Sequence, residues 1–205
     1  MKCSIAASSI SKQSPHHVAG SERIMIAPML KNKMNDIAFT LLETTEDLNK
    51  YRKQLVTFFG SLSTEKRYFT NLNMDYVKNS DFILIASDED RIVGVAGVET
   101  THLIAHKAYV GVKKEYQTGL GAFLSLKRNH EARRRYPFII LKINPDNVAS
   151  QKMNRALGYR ELGRRYSDDY LIMPFSPLGL CLFYALKIAL PAVNLFDKFV
   201  TNSSR

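Results

Sequence analysis

The stretch that most limits what this chain can fold into is residues 109–126, Tyr-Val-Gly-Val-Lys-Lys-Glu-Tyr-Gln-Thr-Gly-Leu-Gly-Ala-Phe-Leu-Ser-Leu. Tyr109, Val110 and Val112 are aromatic or β-branched and predict a strand. Residues 113–117 are polar and predict a turn. Gly119 and Gly121 then bracket a helix start, and Leu120, Phe123 and Leu124 have the i, i+3, i+4 spacing of a buried helical face. A strand, a glycine turn and a helix in that order can hold an anion. The first N–H groups of a helix lack internal partners and lie at the positive end of its dipole. Glycine lets a ligand approach that backbone closely, and Lys113 and Lys114 add charge beside it. The third glycine of the dinucleotide fingerprint is missing, so that class is set aside.

The rest of the chain supplies a frame for this unit. Residues 1–36 are rich in Ser, Lys and His with little periodicity and are expected to be a disordered tail. Ile5-Ala6-Ala7 is too short an apolar core for a secretory signal. Residues 37–42 predict a first strand. Thr44-x-x-Asp47 is a capping arrangement, and Leu48, Tyr51, Leu55 and Phe58 share one helical face. Ser63 or Thr64 is placed to cap a second short helix through Phe69. Residues 82–86 and 92–98 form the clearest hairpin, with its second strand ending at Glu99. Pro137 stops the helix begun at Leu120. Residues 138–143 predict a strand, Asn147 caps a further helix, and Gly158 ends it in a left-handed conformation. Residues 159–166 and 170–173 would make a last hairpin, turning through Ser167, Asp168 and Asp169.

Pro174 and Pro177 mark a boundary before an apolar extension, residues 175–205. Lys187 and Pro191 interrupt it, which argues against a clean membrane span. Packing on the domain, self-association, and contact with a membrane surface through residues 178–196 all remain open. The two cysteines, Cys3 and Cys181, lie far apart with no disulfide or metal spacing, which favours a reducing, cytoplasmic setting. No metal site is expected. Residues 107–142 carry nine Lys or Arg against Glu115 and Glu131, so +7 of the net +10 falls there. An anionic partner is implied. A solvated helix end accounts for residues 127–135 without a ligand. The run lacks an aromatic platform, which weighs against specific nucleic-acid binding.

Two segments together carry a family resemblance. Residues 116–122, Tyr-Gln-Thr-Gly-Leu-Gly-Ala, resemble the pyrophosphate loop of the GNAT superfamily of N-acetyltransferases. Asn147-x-x-Ser150-x-x-Met153-Asn154-x-x-Leu157-Gly158-Tyr159 resembles its second cofactor motif. The resemblance covers about residues 37–174. It implies a single mixed α/β domain with a mostly antiparallel, strongly twisted sheet flanked by helices. It implies acetyl-CoA as cosubstrate, a primary amine as acceptor, and N-acetyl transfer by direct attack. Val110, Val112, Gln117, Thr118, Gly119, Leu120, Gly121, Ala122, Asn147, Ser150 and Asn154 become the candidate cofactor contacts. Arg67, Tyr68 and Phe69 become candidate acceptor contacts, although burial of Tyr68 and Phe69 in the core is the plainer reading of those two. The base falls on or near His106, whose imidazole titrates near neutrality, with Glu99 as rival. Two departures stand out. Tyr116 holds a place where the family usually has Arg or Gln, and Asn154 holds the place of a Tyr that often protonates the departing thiolate. Asn has no acidic proton, so a catalytically silent acyl-CoA sensor is the alternative.

Overall fold

The computed structural model describes residues 36–64, 73–102, 105–117, 119–165 and 167–203. Strand β1 (Ile37–Leu42) leads through the expected cap into α1 (Thr45–Thr64). Asp47 N–H donates to Thr44 Oγ1 at 3.1 Å, and Thr44 N–H donates back to Asp47 Oδ2 at 3.2 Å. Leu48, Tyr51, Leu55 and Phe58 do form the inner face of α1, joined by Phe59 and Leu62. That continuation corrects one expectation. The helix runs through Gly60 to its end at Thr64, so Ser63 and Thr64 belong to α1, and residues 65–69, where a second short helix was expected, lie outside the described residues. Burial of Phe59 and Leu62 outweighs the roughly 1 kcal/mol that an interior glycine costs. The second helix, α2 (Met74–Lys78), is capped by Asn73, whose side chain accepts from Asp75 N–H at 2.8 Å.

Strands β2 (Ser80–Asp88), β3 (Arg91–His102) and β4 (Ala105–Val112) form an antiparallel meander with β1. The β2–β3 turn is tighter than expected, and β3 continues past Glu99, with Thr100 N–H donating to Asn79 O at 2.8 Å. A short 3₁₀ turn (Lys114–Tyr116) precedes α3 (Leu120–Arg133). Then come β5 (Phe138–Ile143), α4 (Val148–Ala156), β6 (Arg160–Arg165) and β7 (Asp168–Pro174). The last turn is also tighter, because Asp168 and Asp169 already pair with Arg165 and Arg164 as strand residues.

The seven strands lie in the order β1-β2-β3-β4-β5-β7-β6. Every neighbouring pair is antiparallel except β4 and β5, which are parallel and meet only at Lys107/Ile140 and Ala108/Leu141. Beyond those residues the two strands part. Helices α1 and α2 cover the face that carries Ile83, Ile85, Val95 and Tyr109. Helix α3 covers the opposite face, against Leu84, Ala96, Val112 and neighbouring residues.

Helix α5 (Pro177–Ser203) packs on the β5–β7 part of the sheet. Phe183 is buried against Phe138, Leu162 and Ile172, flanked by Leu180, Leu182, Leu186 and Leu190. The approach is so close at Gly179 that a Cβ there would stand 2.1 Å from Pro137 O. A side chain at residue 179 would therefore hold α5 off the sheet. Leu178, Tyr184 and Ile188 remain on its outer side. Among the described residues, no helix is long and apolar enough to cross a membrane.

Candidate functional site

Where β4 and β5 part, a cleft of about 790 Å³ opens. Past Ala108 the backbone of β4 has no strand beside it on that side, so its polar groups there are left for another partner. Val110 and Val112 line the cleft from β4, and Leu141, Lys142 and Ile143 line it from β5. One end is closed by Gln117, Gly119, Gly121 and Ala122 at the start of α3. The far wall is Asn147, Ser150 and Asn154 of α4. The two segments that the sequence singled out, about thirty residues apart, are therefore opposite walls of one cavity. Leu120 is buried beneath the loop, so it contributes its backbone and not its side chain. Thr118, Arg67, Tyr68 and Phe69 lie outside the described residues.

The glycine loop is shaped as the anion reading requires. Gly119 has φ 106°, a conformation that side chains disfavour, and it begins α3 without a side-chain cap. The bond from Phe123 N–H to Gly119 O, 3.0 Å, sets the helix in motion, so the amides of Leu120, Gly121 and Ala122 precede it. At Gly121 a Cβ would meet nothing nearer than Val112 Cγ2 at 3.7 Å. The fold could hold a side chain there, and the absence of one keeps the amides open to the cleft.

Tyr116 explains the unusual loop. It is buried, and its hydroxyl donates to Asp88 at the end of β2. That bond to a carboxylate pushes its pKa up to about 12. Tyr116 thus anchors the loop from beneath. Across the cleft, Asn147 Oδ1 accepts from Ser150 N–H at 3.1 Å, which confirms the helix cap. Asn154 is 1% exposed, and its Nδ2 donates to Ser150 O at 2.8 Å and to Ser150 Oγ at 3.2 Å. Its Oδ1 is buried with no partner. This position offers an unused acceptor and no acid.

The two base candidates fall on opposite faces of the sheet. Glu99 pairs across the ladder with Lys107, whose Nζ lies 3.5 Å from its carboxylate. Lys107 also donates to the Tyr76 hydroxyl at 2.8 Å, and both Lys107 and Tyr76 line the cleft. His106, one residue earlier, points the other way. Its ring stacks on Tyr136 with centroids 4.0 Å apart, outside the cleft lining. Its Nδ1 is buried without a partner, and burial lowers its pKa against a smaller opposing effect of Asp81.

Sequence reasoning missed Tyr76, Lys107, Lys142 and Asp168 in this cavity; Lys142 and Asp168 pair at 2.9 Å. The period-2 alternation of β4 was the available signal, since it sets Lys107 opposite His106 in direction. The basic run does not form one solvated patch. Arg128 is wholly buried, Arg135 pairs with Glu43 and Glu131, and Lys127 lies 5.1 Å from the Phe39 and Phe123 rings.

The sequence matches no protein-family model and no curated protein. Solved structures do match. A candidate acetyltransferase from Salmonella typhimurium, solved with its cofactor acetyl-CoA, superposes with a TM-score of 0.54 at 15% identity, over 68% of this chain and 95% of that one. A GNAT-family acetyltransferase from Staphylococcus aureus Mu50 gives 0.52 at 16% identity, over 68% and 100%. A ribosomal-protein-alanine N-acetyltransferase from Brucella melitensis gives 0.50 at 20%, over 65% and 97%. The architecture is the GNAT fold, the mixed, mostly antiparallel sheet expected from the sequence.

Proposed function

We propose that this chain transfers an acetyl group from acetyl-CoA to a primary amine by direct attack. The observation that carries the reading is the parted β4–β5 seam, with an open glycine helix start on one wall and the Asn147, Ser150 and Asn154 side on the other. A thioester ligand of that kind supplies an activated acyl group. The chain's part is to bind it, orient it and manage one proton. The amides of Leu120, Gly121 and Ala122 would hold its pyrophosphate. The free backbone edge of β4 at Val110 and Val112 would hold the pantetheine arm. Asn154 Oδ1, buried and unpaired, suits an amide N–H of that arm.

For the proton we assign Glu99 in preference to His106. Glu99 shares its face of the sheet with Lys107 and Tyr76, and the three form a polar chain leading from the carboxylate to the cleft. The amine nitrogen bonds to the acyl carbon, the carbon–sulfur bond breaks, and the amine proton passes to Glu99. The thiolate then takes its proton from water, because Asn154 has none to give. Nothing in the cleft fixes whether the amine belongs to a small molecule or a protein. A silent acyl-CoA sensor is the second reading, and the missing acid at Asn154 favours it.

Titration calorimetry with acetyl-CoA tests the binding half. Gly121→Glu should weaken it at least about 100-fold, about 2.8 kcal/mol, by setting a carboxylate against phosphate. The fold should be unchanged, because a Cβ there has room. Unaltered heat in this variant would move the site elsewhere. A thiol-release screen over amines and peptides tests the chemical half, and binding without release from any acceptor would favour the sensor.

A further inference from the structure

Arg128 is fully buried, at 0% exposure, on the inner side of α3. No carboxylate pairs with it among the described residues. Its guanidinium is met by neutral acceptors: Tyr109 O at 3.0 Å from Nη1, the Tyr159 hydroxyl at 2.8 Å from Nη2, and Asn129 Oδ1 at 3.0 Å from Nη2 and 3.3 Å from Nε. Tyr159 in turn donates to Asn129 Oδ1 at 2.9 Å, so the three side chains close into one hydrogen-bonded cluster. A buried cation without a counter-ion is costly, and a helix face of this kind normally takes leucine. Stability alone does not account for it.

Its position suggests what does. Tyr109 lies one residue past Ala108, the last residue at which β4 meets β5. Tyr159 follows α4 and shares a buried cluster with Leu141 and Ile143 of β5. The guanidinium therefore ties β4, one residue past its last pairing with β5, to the Tyr159 hydroxyl. In a trans peptide the next N–H points opposite to the carbonyl. The β3–β4 ladder, with Lys113 N–H donating to Val93 O and Tyr109 opposite Gly97, turns Tyr109 O toward β3 and so the Val110 N–H to the cleft side, and Val110 lines the cleft. A cation on one end of a peptide strengthens the donor at the other.

We propose that Arg128 is a positioning residue that acts through the Tyr109–Val110 peptide, polarising it so that the Val110 N–H is a stronger donor to the thioester oxygen. This rests on the acetyl-CoA reading above. It gives the chain a way to draw negative charge off the reacting centre although Asn154 cannot supply a proton to the sulfur.

The test needs no acceptor. Acetyl-CoA carrying a ¹³C label at the carbonyl is bound to the full chain, and its stretching band is read by isotope-edited infrared spectroscopy beside calorimetry. The band should move to lower frequency on binding. Arg128→Met should lose more than half of that shift while affinity changes less than threefold, and Arg128→Lys should restore part of it. Asn129→Asp keeps the cluster's shape and adds the missing counter-charge, so it should reduce the shift in a folded protein even if Arg128→Met does not fold. A shift unchanged in Asn129→Asp, or in a folded Arg128→Met, overturns the proposal and leaves acetyl-CoA binding standing. Absence of binding heat in the unaltered chain overturns the underlying reading instead.

Discussion

His106 and Lys107 are neighbours in sequence and belong to different environments. Strand geometry sends their side chains to opposite faces of β4. Lys107 meets Glu99 and Tyr76 at the cleft, while His106 lies flat on Tyr136 beside Phe138. The first face gathers charge around an opening. The second buries a titratable ring among aromatics. A position along a strand therefore says little about a role until the face is known. Glu99 should act on rate, and His106 on stability.

The largest effect should come from the first face. With any acceptor that releases thiol, Glu99→Gln should lower the rate by about 10²–10⁴-fold, and His106→Ala should leave it within about threefold. The reverse pattern in steady-state kinetics would exchange the two assignments. A smaller effect belongs to the second face alone. Tyr136 donates to Asp81 at 2.5 Å while its ring supports His106. Tyr136→Phe should cost about 1 kcal/mol in denaturant unfolding and leave acetyl-CoA affinity unaltered. A change in affinity would show that the two faces communicate.

The smallest effect is a pH slope. Burial holds the pKa of His106 below its ordinary value near 6.5. The unfolded chain then binds that proton more readily than the folded one. Stability from this residue is present above about pH 6.5 and declines as pH falls toward the depressed folded value. Melting midpoints between about pH 5 and 8 should show the decline, and His106→Phe should remove its share of it. An unchanged slope in the variant would assign it to other groups.

Much of the frame was legible because it rests on local chemistry. The Thr44–Asp47 cap, the Asn147 cap and the Gly158 end at φ 96° follow from side chains and backbone within a few residues. The two walls of the cleft were legible as segments. What failed depended on distant partners. Nothing near Gly60 shows that Phe59 and Leu62 will carry α1 onward over the sheet. Arg128 sits in a string of cations that looks solvated, and besides its neighbour Asn129 the groups that meet it, on Tyr109 and Tyr159, are 19 and 31 residues away. Placing Glu99 and His106 on opposite faces needed the register of β3 against β4, with Lys107 opposite Glu99.

The parted seam also divides the molecule into cooperative neighbourhoods. The β1–β4 meander and the β5–β7 unit with α5 pair through only two residues on each bordering strand, besides the bridge through α3 and a buried cluster in which Phe82, Val98 and Ala108 meet Ile139, Leu141 and Leu171. With so little backbone pairing across the seam, ladder bonds on its two sides should open in separate local events in native-state hydrogen exchange. A ligand lying between Gly121 and Asn154 touches both. Occupancy would then act as a staple, converting two opening events into one. Its stabilisation would grow with ligand concentration over Kd and would appear as slowed exchange in β5–β7 as well as in the glycine loop.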